Sequence, residues 1–506
     1  MTRHAAGVAA ASRAARHNRG MADVVVVGSG PNGLAAAVIL ARAGLAVEVH
    51  EAQDTIGGGS RTAEVTLPGF RHDTCAGAHP MALASPFFRA FDLAAHGVDL
   101  LTPEASYAHP LDGGAAGIAW HDLERTVADL GRDGPMWRSL FAPLVRDWQQ
   151  VVDLAMSDMR HVPLLSPTTI RFGLRTLEQG SPLWNARFGD EIAPALLTGV
   201  ATHAITQPRA LPAAGAGLML ATLAHAGGWV IPRGGSQAII DAMVTDLELL
   251  GGKVITGHRV DSLDEFRDAR AVVLDTAPAE LLRIAGQRLP DRYRRTLGRF
   301  RYGSAACKVD FALSGPVPWQ HPDCARAGTL HLIGTRAEAM AAERAVAAGR
   351  HSDRPYVLAI QPGVVDPSRA PEGKHTFYTY AHVPHGSDRD VSDTVIAQIE
   401  RFAPGFRDLV LATSVRTATE LSTYNANYIG GDISAGAMTL RQTAFRPAPR
   451  WNPYATPLPG VYLCSSSTPP GPGVHGMSGL HAANHVLRRR FGVYTDPLEL
   501  LAATNR

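Results

Sequence analysis

The feature that most constrains this chain is the segment VVVVGSGPNGLAAAVILARAG, residues 24–44. Four consecutive valines suit a strand covered on both faces of a parallel sheet. The pattern predicts a strand over 22–27, a glycine-rich turn, and a helix over 33–43 closed by Gly44. A second strand follows over 46–51, completing a βαβ unit of about thirty residues. Gly28, Gly30 and Gly33 hold G-x-G-x-x-G spacing at the turn, and Glu51 lies twenty-three residues after Gly28. Each position has a physical reason. Gly28 permits the tight turn, Gly30 lets backbone approach a pyrophosphate, and Gly33 lets the helix pack on the strand. The phosphates then meet unpaired N–H groups at the positive end of the helix dipole. Glu51 can accept both ribose hydroxyls of an adenosine, and its charge repels a 2′-phosphate. A glycine turn in an unrelated α/β protein is the alternative.

The dinucleotide type turns on the stretch that Glu51 opens, EAQDTIGGGSRTAEV, where Gly57, Gly58 and Gly59 come six to eight residues past the acid. A second backbone contact at this distance serves an extended FAD, whereas a nicotinamide dehydrogenase has no such need. A plain flexible loop is the other reading. Pro31, Asn32, Ala52 and Ser60, beside these groups, join the candidate contacts.

Helical patterning fills 122–223, with Trp137, Leu140, Phe141 and Leu144 at core spacing. A helix is expected over 238–250, with strands over 253–256, 270–275, 306–313, 356–361, 376–382 and 460–464. A Gly/Pro-rich loop over 465–476 and a helix over 477–489 come next. Nucleotide-binding signals thus recur at the start, middle and end. The expected architecture is α/β: a discontinuous Rossmann-type domain (21–105, 225–300, 420–495) with an inserted α+β substrate domain (106–224, 301–419). Residues 1–20 are Ala- and Arg-rich and acid-poor, and read as a disordered or presequence-like extension.

Other classes recede on composition. The formal charge is +2, and the first twenty residues supply four arginines and no acid, so the remainder is slightly acidic and gives no basis for a nucleic-acid partner. Cys75, Cys307, Cys324 and Cys464 lie far apart. They form neither metal-ligand spacing nor a redox pair, and fit reduced thiols in a reducing compartment. No metal is expected. The uncharged stretch 211–230 is broken by Pro212 and four glycines and reads as a buried segment. Residues 86–93 read either as a core helix or as an apolar patch making peripheral contact with a membrane.

Seven segments in order carry a resemblance: GSGPNGLAAA, IGGGSRTAEVTLPGFRHDTCAGAHP, GGWVIPRGGSQAI, GGKVITGHRV, APEGKH, YIGGDISAG with RQTAFRPAP, and VYLCSSSTPPGPGVHGMSGLHAANHV. Residues 22–489 resemble the phytoene desaturase-like branch of FAD-dependent oxidoreductases, which implies a glutathione-reductase-like FAD domain. The resemblance implies further FAD contacts: Val260 by its backbone at the adenine, Ser465 and Ser466 at the ribityl and pyrophosphate groups. It also puts Gly473, Val474, His475, Gly476 and Met477 beneath the isoalloxazine. A helix N-terminus there stabilises negative charge on reduced flavin. The sequence departs from the family pattern in three ways. Ser465 replaces the usual glycine; Gly59 stands where amine oxidases often carry Arg, with Arg61 two residues on; and the chain between Val260 and Asp275 is short for the usual β-meander.

No second G-x-G-x-x-G follows a strand and no C-x₄-C pair exists, so neither an NAD(P)H domain nor disulfide reduction is expected. The resemblance implies a dehydrogenase or desaturase acting on a C–C bond of a lipophilic, isoprenoid-like substrate, with oxygen or a quinone as electron acceptor. A flavin-dependent isomerase and a regulatory flavoprotein without catalysis stay open beside it. No catalytic residue is assigned; the candidates are His475, Tyr424 and Arg233, each also readable as structural. A cytoplasmic location, or the mitochondrial matrix in a eukaryote, is the expectation.

Overall fold

The computed structural model describes residues 21–158 and 166–503, so the N-terminal extension lies outside the described residues. A five-stranded parallel sheet gathers β1 (Val24–Val27), β2 (Val47–His50), β3 (Lys253–Ile255), β4 (Ala271–Leu274) and β5 (Val461–Leu463), in the order β5-β4-β1-β2-β3. The valine run does what a parallel strand requires. Val24 and Val26 face one core and Val25 and Val27 another, because side chains alternate across the pleat. The first core is roofed by α1 (Pro31–Arg42), α2 (Gln237–Leu249) and α3 (Met477–Val486). Leu281, Ile284 and Tyr293, from residues 278–297, close the second.

Local chemistry sets the ends of α1. Gly30 is its N-cap, Pro31 takes the first helical position where a missing N–H costs nothing, and Gly44 turns the chain away at φ +77°. Residues 32–41 of this helix are all buried. Between 256 and 270 there is one helical turn, Leu263–Phe266, and no strand among the described residues.

A second, seven-stranded sheet runs Val410–Arg416, Ala305–Leu313, His375–Val383, Val357–Ile360, Ala327–Leu332, Ala105–Pro110, Ala116–Trp120. All neighbours are antiparallel except Ala105–Pro110 with Ala327–Leu332. Three of its strands match the sequence expectation; the other four were not expected. Alternation divides this sheet as well. Phe311, Phe377 and Leu330 pack with Val395, Ile399 and Phe406, whereas Thr329, His331, Tyr378 and Tyr380 occupy alternate positions.

The apolar stretch 211–230 forms the helix Leu211–Ala226, and among the described residues no helix is long and apolar enough to cross a membrane. The membrane-contact reading of 86–93 is corrected. Phe87, Phe88 and Phe91, on the short helix Pro86–Phe91, are at most 2% exposed and belong to the core.

Candidate functional site

The turn from β1 to α1 is a cradle with no room for side chains. Gly28 has φ +101°, and a Cβ at Gly30 would stand 2.5 Å from Asp275 Oδ2. A Cβ at Gly33 would overlap the Gly28 carbonyl oxygen. The second glycine run lies against the first: Gly57 and Gly58 have positive φ, and a Cβ at Gly58 would come within 3.1 Å of Gly30 Cα. The following loop is anchored by buried Asp73, which accepts from Thr62 Oγ1 at 2.7 Å, Ser236 N at 2.8 Å and Arg369 Nη2 at 2.8 Å. Burial pushes this carboxyl up, but the Arg369 guanidinium and the hydrogen bonds outweigh it and hold it below its ordinary value.

At the end of β2, Glu51 accepts from Ser29 N at 3.0 Å, Ser29 Oγ at 2.6 Å and Gln53 N at 3.0 Å, with Arg61 Nη2 3.6 Å away. A recess of about 100 Å³ opens beside it, bordered by Ala52, Arg61, Val260 and Tyr424. Val260 follows β3 by five residues, so the backbone leaving this parallel strand borders the recess together with Glu51.

Asp275, just past β4, is the residue the sequence reading missed. Its Oδ2 accepts from Gly33 N at 3.0 Å at the mouth of α1, and its carbonyl accepts from Asn427 Nδ2 at 2.9 Å. Burial pushes the carboxyl up to about 7. One signal could have found it: in open parallel sheets ligands gather beyond the C-terminal strand ends, and Asp275 ends the strand beside β1.

From the cradle a cavity of about 510 Å³ extends between the two sheets. Gly30, Asn32, Ser60, Ser465, Ser466 and Gly473 border its polar end. Phe172, Met219, Leu220, Trp229, Leu358 and Ile360 border it further on, together with polar side chains that include His203, Thr329, Tyr378 and Tyr380.

This geometry, a dinucleotide cradle opening into an apolar cavity, agrees with comparison to known proteins. The model of flavin-containing amine oxidoreductases matches residues 32–487. The chain belongs to this family. Rat pyridine nucleotide-disulfide oxidoreductase domain-containing protein 2 is 26% identical, over 92% of this chain and 93% of that protein. The neurosporene-forming phytoene desaturase of Rhodobacter capsulatus is 23% identical over the same shares. Among solved structures, an oxidoreductase from Methanosarcina mazei superposes with a TM-score of 0.60 at 18% identity, covering 92% of this chain and 100% of that one. Putrescine oxidase bound to putrescine gives 0.58 at 17% identity, over 93% and 99%. The fold is the α/β fold of the flavin amine oxidases, and the protein is an FAD-dependent oxidoreductase.

The residues present fit FAD. Asn32 Oδ1, Ser60 Oγ and Arg61 Nε are buried with no hydrogen-bond partner among the described residues, and all three residues border the cradle or the Glu51 recess. Unpaired buried polar atoms are costly, so a polar ligand there removes a penalty. Of the sequence candidates, Gly30, Pro31, Asn32, Gly58, Gly59, Ser60, Ser465, Ser466, Gly473 and Val474 border the cavity. Gly28, Glu51, Ala52 and Val260 border the Glu51 recess. Gly57 donates its N–H to Ser29 Oγ at 3.1 Å. Gly33, Gly476 and Met477 lie behind these surfaces: Gly33 donates to Asp275, Met477 opens α3, and a Cβ at Gly476 would strike Phe87 at 2.5 Å.

The three catalytic candidates need correction. His475 is fully buried. Its Nδ1 accepts from Met477 N at 3.0 Å, its Nε2 donates to Gly471 O at 3.1 Å, and burial lowers it to about 4. Both nitrogens are committed to shaping the loop. Tyr424 borders the Glu51 recess rather than the cavity, donates to Thr74 Oγ1 at 2.8 Å and packs beneath Arg61 and Arg416. Arg233 is half exposed and paired with Asp99 at 2.8 Å, away from the cavity.

Proposed function

We propose that the protein is a dehydrogenase or desaturase that introduces a double bond into a lipophilic, isoprenoid-like substrate. The observation that carries this reading is the single cavity joining the phosphate cradle to an apolar chamber with no Lys or Arg among its described lining residues. The phytoene desaturase of R. capsulatus, a relative over nearly the whole chain, supports the choice of reaction. On this reading residues 21–105, 225–300 and 420–495 form a glutathione-reductase-like cofactor domain, and 106–224 with 301–419 enclose the substrate. FAD, when bound, would supply a two-electron acceptor for the desaturation, with oxygen or a quinone taking the electrons onward.

The chain's own residues do the rest. Glu51 holds the adenosine ribose, and the Gly28–Gly33 turn and the start of α1 hold the diphosphate. Phe172, Met219, Leu220 and Trp229 orient the substrate chain and exclude water, so that orientation is obtained without a charged contact. The test is anaerobic mixing of purified holoprotein with isoprenoid hydrocarbons and lipid extracts. Substrate-dependent bleaching of the visible flavin band is expected. Turnover only by pre-reduced enzyme would replace this reading with isomerisation, and persistent colour with every candidate would favour a regulatory flavoprotein.

A further inference from the structure

The cavity is not apolar throughout. Where it meets the second sheet, His203 borders it, and His203 Nε2 lies 2.6 Å from Nε2 of fully buried His331. That is the one hydrogen bond His203 makes among the described residues, leaving Nδ1 without a partner. Thr329 also borders the cavity, and its hydroxyl is buried with no partner among the described residues. Thr329 and His331 stand two residues apart on one strand and so share a sheet face about 7 Å apart. Tyr107, the register neighbour of Thr329, also keeps a buried, unpartnered hydroxyl but lies behind the lining and is no part of the cluster. A cluster of unsatisfied donors and acceptors at one end of an apolar chamber requires explanation, because each such group costs free energy unless something binds it.

We infer that this end of the cavity is a polar subsite in which His203 and Thr329 hold an uncharged oxygen function, a hydroxyl or carbonyl, at the end of the lipophilic substrate. The inference rests on the cavity's being the substrate site, as proposed above, and narrows the substrate class from isoprenoid-like lipids in general to isoprenoid-like alcohols, aldehydes or ketones.

The hydrogen-bond roles are set by satisfaction. His331 Nδ1 is buried and unpartnered, and an orphaned N–H is costlier than an orphaned lone pair. The His331 proton therefore sits on Nε2 and is donated to His203 Nε2, which puts the His203 proton on Nδ1 as a donor to the ligand. Thr329 Oγ1 can donate or accept. The oxygen is uncharged because a carboxylate would need a cation and an amine an anion. The described lining carries no Lys or Arg, and its one carboxylate, Asp275, lies at the cradle end. Burial agrees, lowering His203 to about 3 and His331 well below its ordinary value, so both rings stay neutral.

Holoprotein titrated with an acyclic isoprenoid hydrocarbon, its terminal alcohol and its terminal amine tests this. Trp229, whose ring centroid is 5.2 Å from that of His203, and the flavin band report binding. The alcohol is expected to bind about tenfold tighter than the hydrocarbon, and the amine no tighter than the hydrocarbon. His203→Phe and Thr329→Val should each erase most of that preference while leaving FAD content unchanged. Equal binding of alcohol and hydrocarbon by the wild type would overturn the inference alone, as would a preference that survives both substitutions or tightest binding of the amine. Failure of all three probes to bind would remove the cavity reading and this inference with it. If neither variant folds, the wild-type comparison decides.

Discussion

A carboxylate beside a helix N-terminus is ordinarily favoured by the dipole, yet burial raises Asp275 to about 7, above its ordinary 3.8. Native apoprotein therefore holds a proton that the unfolded chain has lost between about pH 4 and pH 7. The stabilisation from this proton is present below the unfolded value and disappears as pH rises through the folded one. Asp275→Asn keeps an acceptor for Gly33 N and carries no charge. FAD-free variant should gain on the order of 1–3 kcal/mol over wild type at pH 8 and almost nothing near pH 4, read as melting temperature against pH. A gain of equal size at both pH values would contradict the assignment. The same charge stands at the glycine cradle that would hold a diphosphate, so the variant should also bind FAD more tightly above pH 7. Gly33→Ala acts oppositely. Its methyl overlaps the Gly28 carbonyl, which cannot yield without opening the turn, so about 2 kcal/mol of stability and most bound FAD should be lost on purification.

At the scale of elements, α1 and α3 touch backbone to backbone. A Cβ at Gly479 would overlap Asn32 O and lie 2.9 Å from Ala36 N. Gly479→Ala must push the helices apart, and because both open toward the flavin site, a loss of about 2–3 kcal/mol should come with a shifted flavin absorbance. An unchanged spectrum would mean that α3 does not set the cofactor's position. This sheet was readable from its sequence because each signal is local: Val24–Val27 and Ala271–Leu274 are uninterrupted apolar runs, and glycine and proline mark the start of α1. The second sheet was only half readable. Ala105–Pro110 is buried throughout, so it shows no alternation, and its partner Ala327–Leu332 lies more than two hundred residues away. Val410–Arg416 is half exposed along its length and gives little apolar signal. The site divides in the same way. Gly28, Gly30 and Glu51 were legible from spacing, whereas Asp275 acts through a contact 242 residues distant that no spacing records. For His475, Tyr424 and Arg233 the sequence offered suitable chemistry but not reach.

On the scale of the whole molecule, the cavity runs from the cradle to the helix Leu211–Ala226 and the second sheet, so on the proposed reading the cofactor and most of the substrate meet different elements. Substitutions should then separate the two functions. Ala216, on the helix Leu211–Ala226, is half-buried and borders the apolar part of the cavity, while the cradle belongs to β1, α1 and the loop before α3. Ala216→Phe places an aromatic ring in space the substrate chain would occupy and touches none of the cradle residues. The variant should therefore purify with wild-type FAD content and melting temperature, but bleach its flavin at least about tenfold more slowly at limiting substrate. That loss corresponds to about 1.4 kcal/mol, well within what steric exclusion from a packed pocket supplies. Arg233→Ala, at the exposed ion pair with Asp99, should leave both quantities unchanged and serves as the control. Were Ala216→Phe to lose FAD in step with activity, the cavity would have to be a single cofactor chamber and the substrate would have to enter elsewhere.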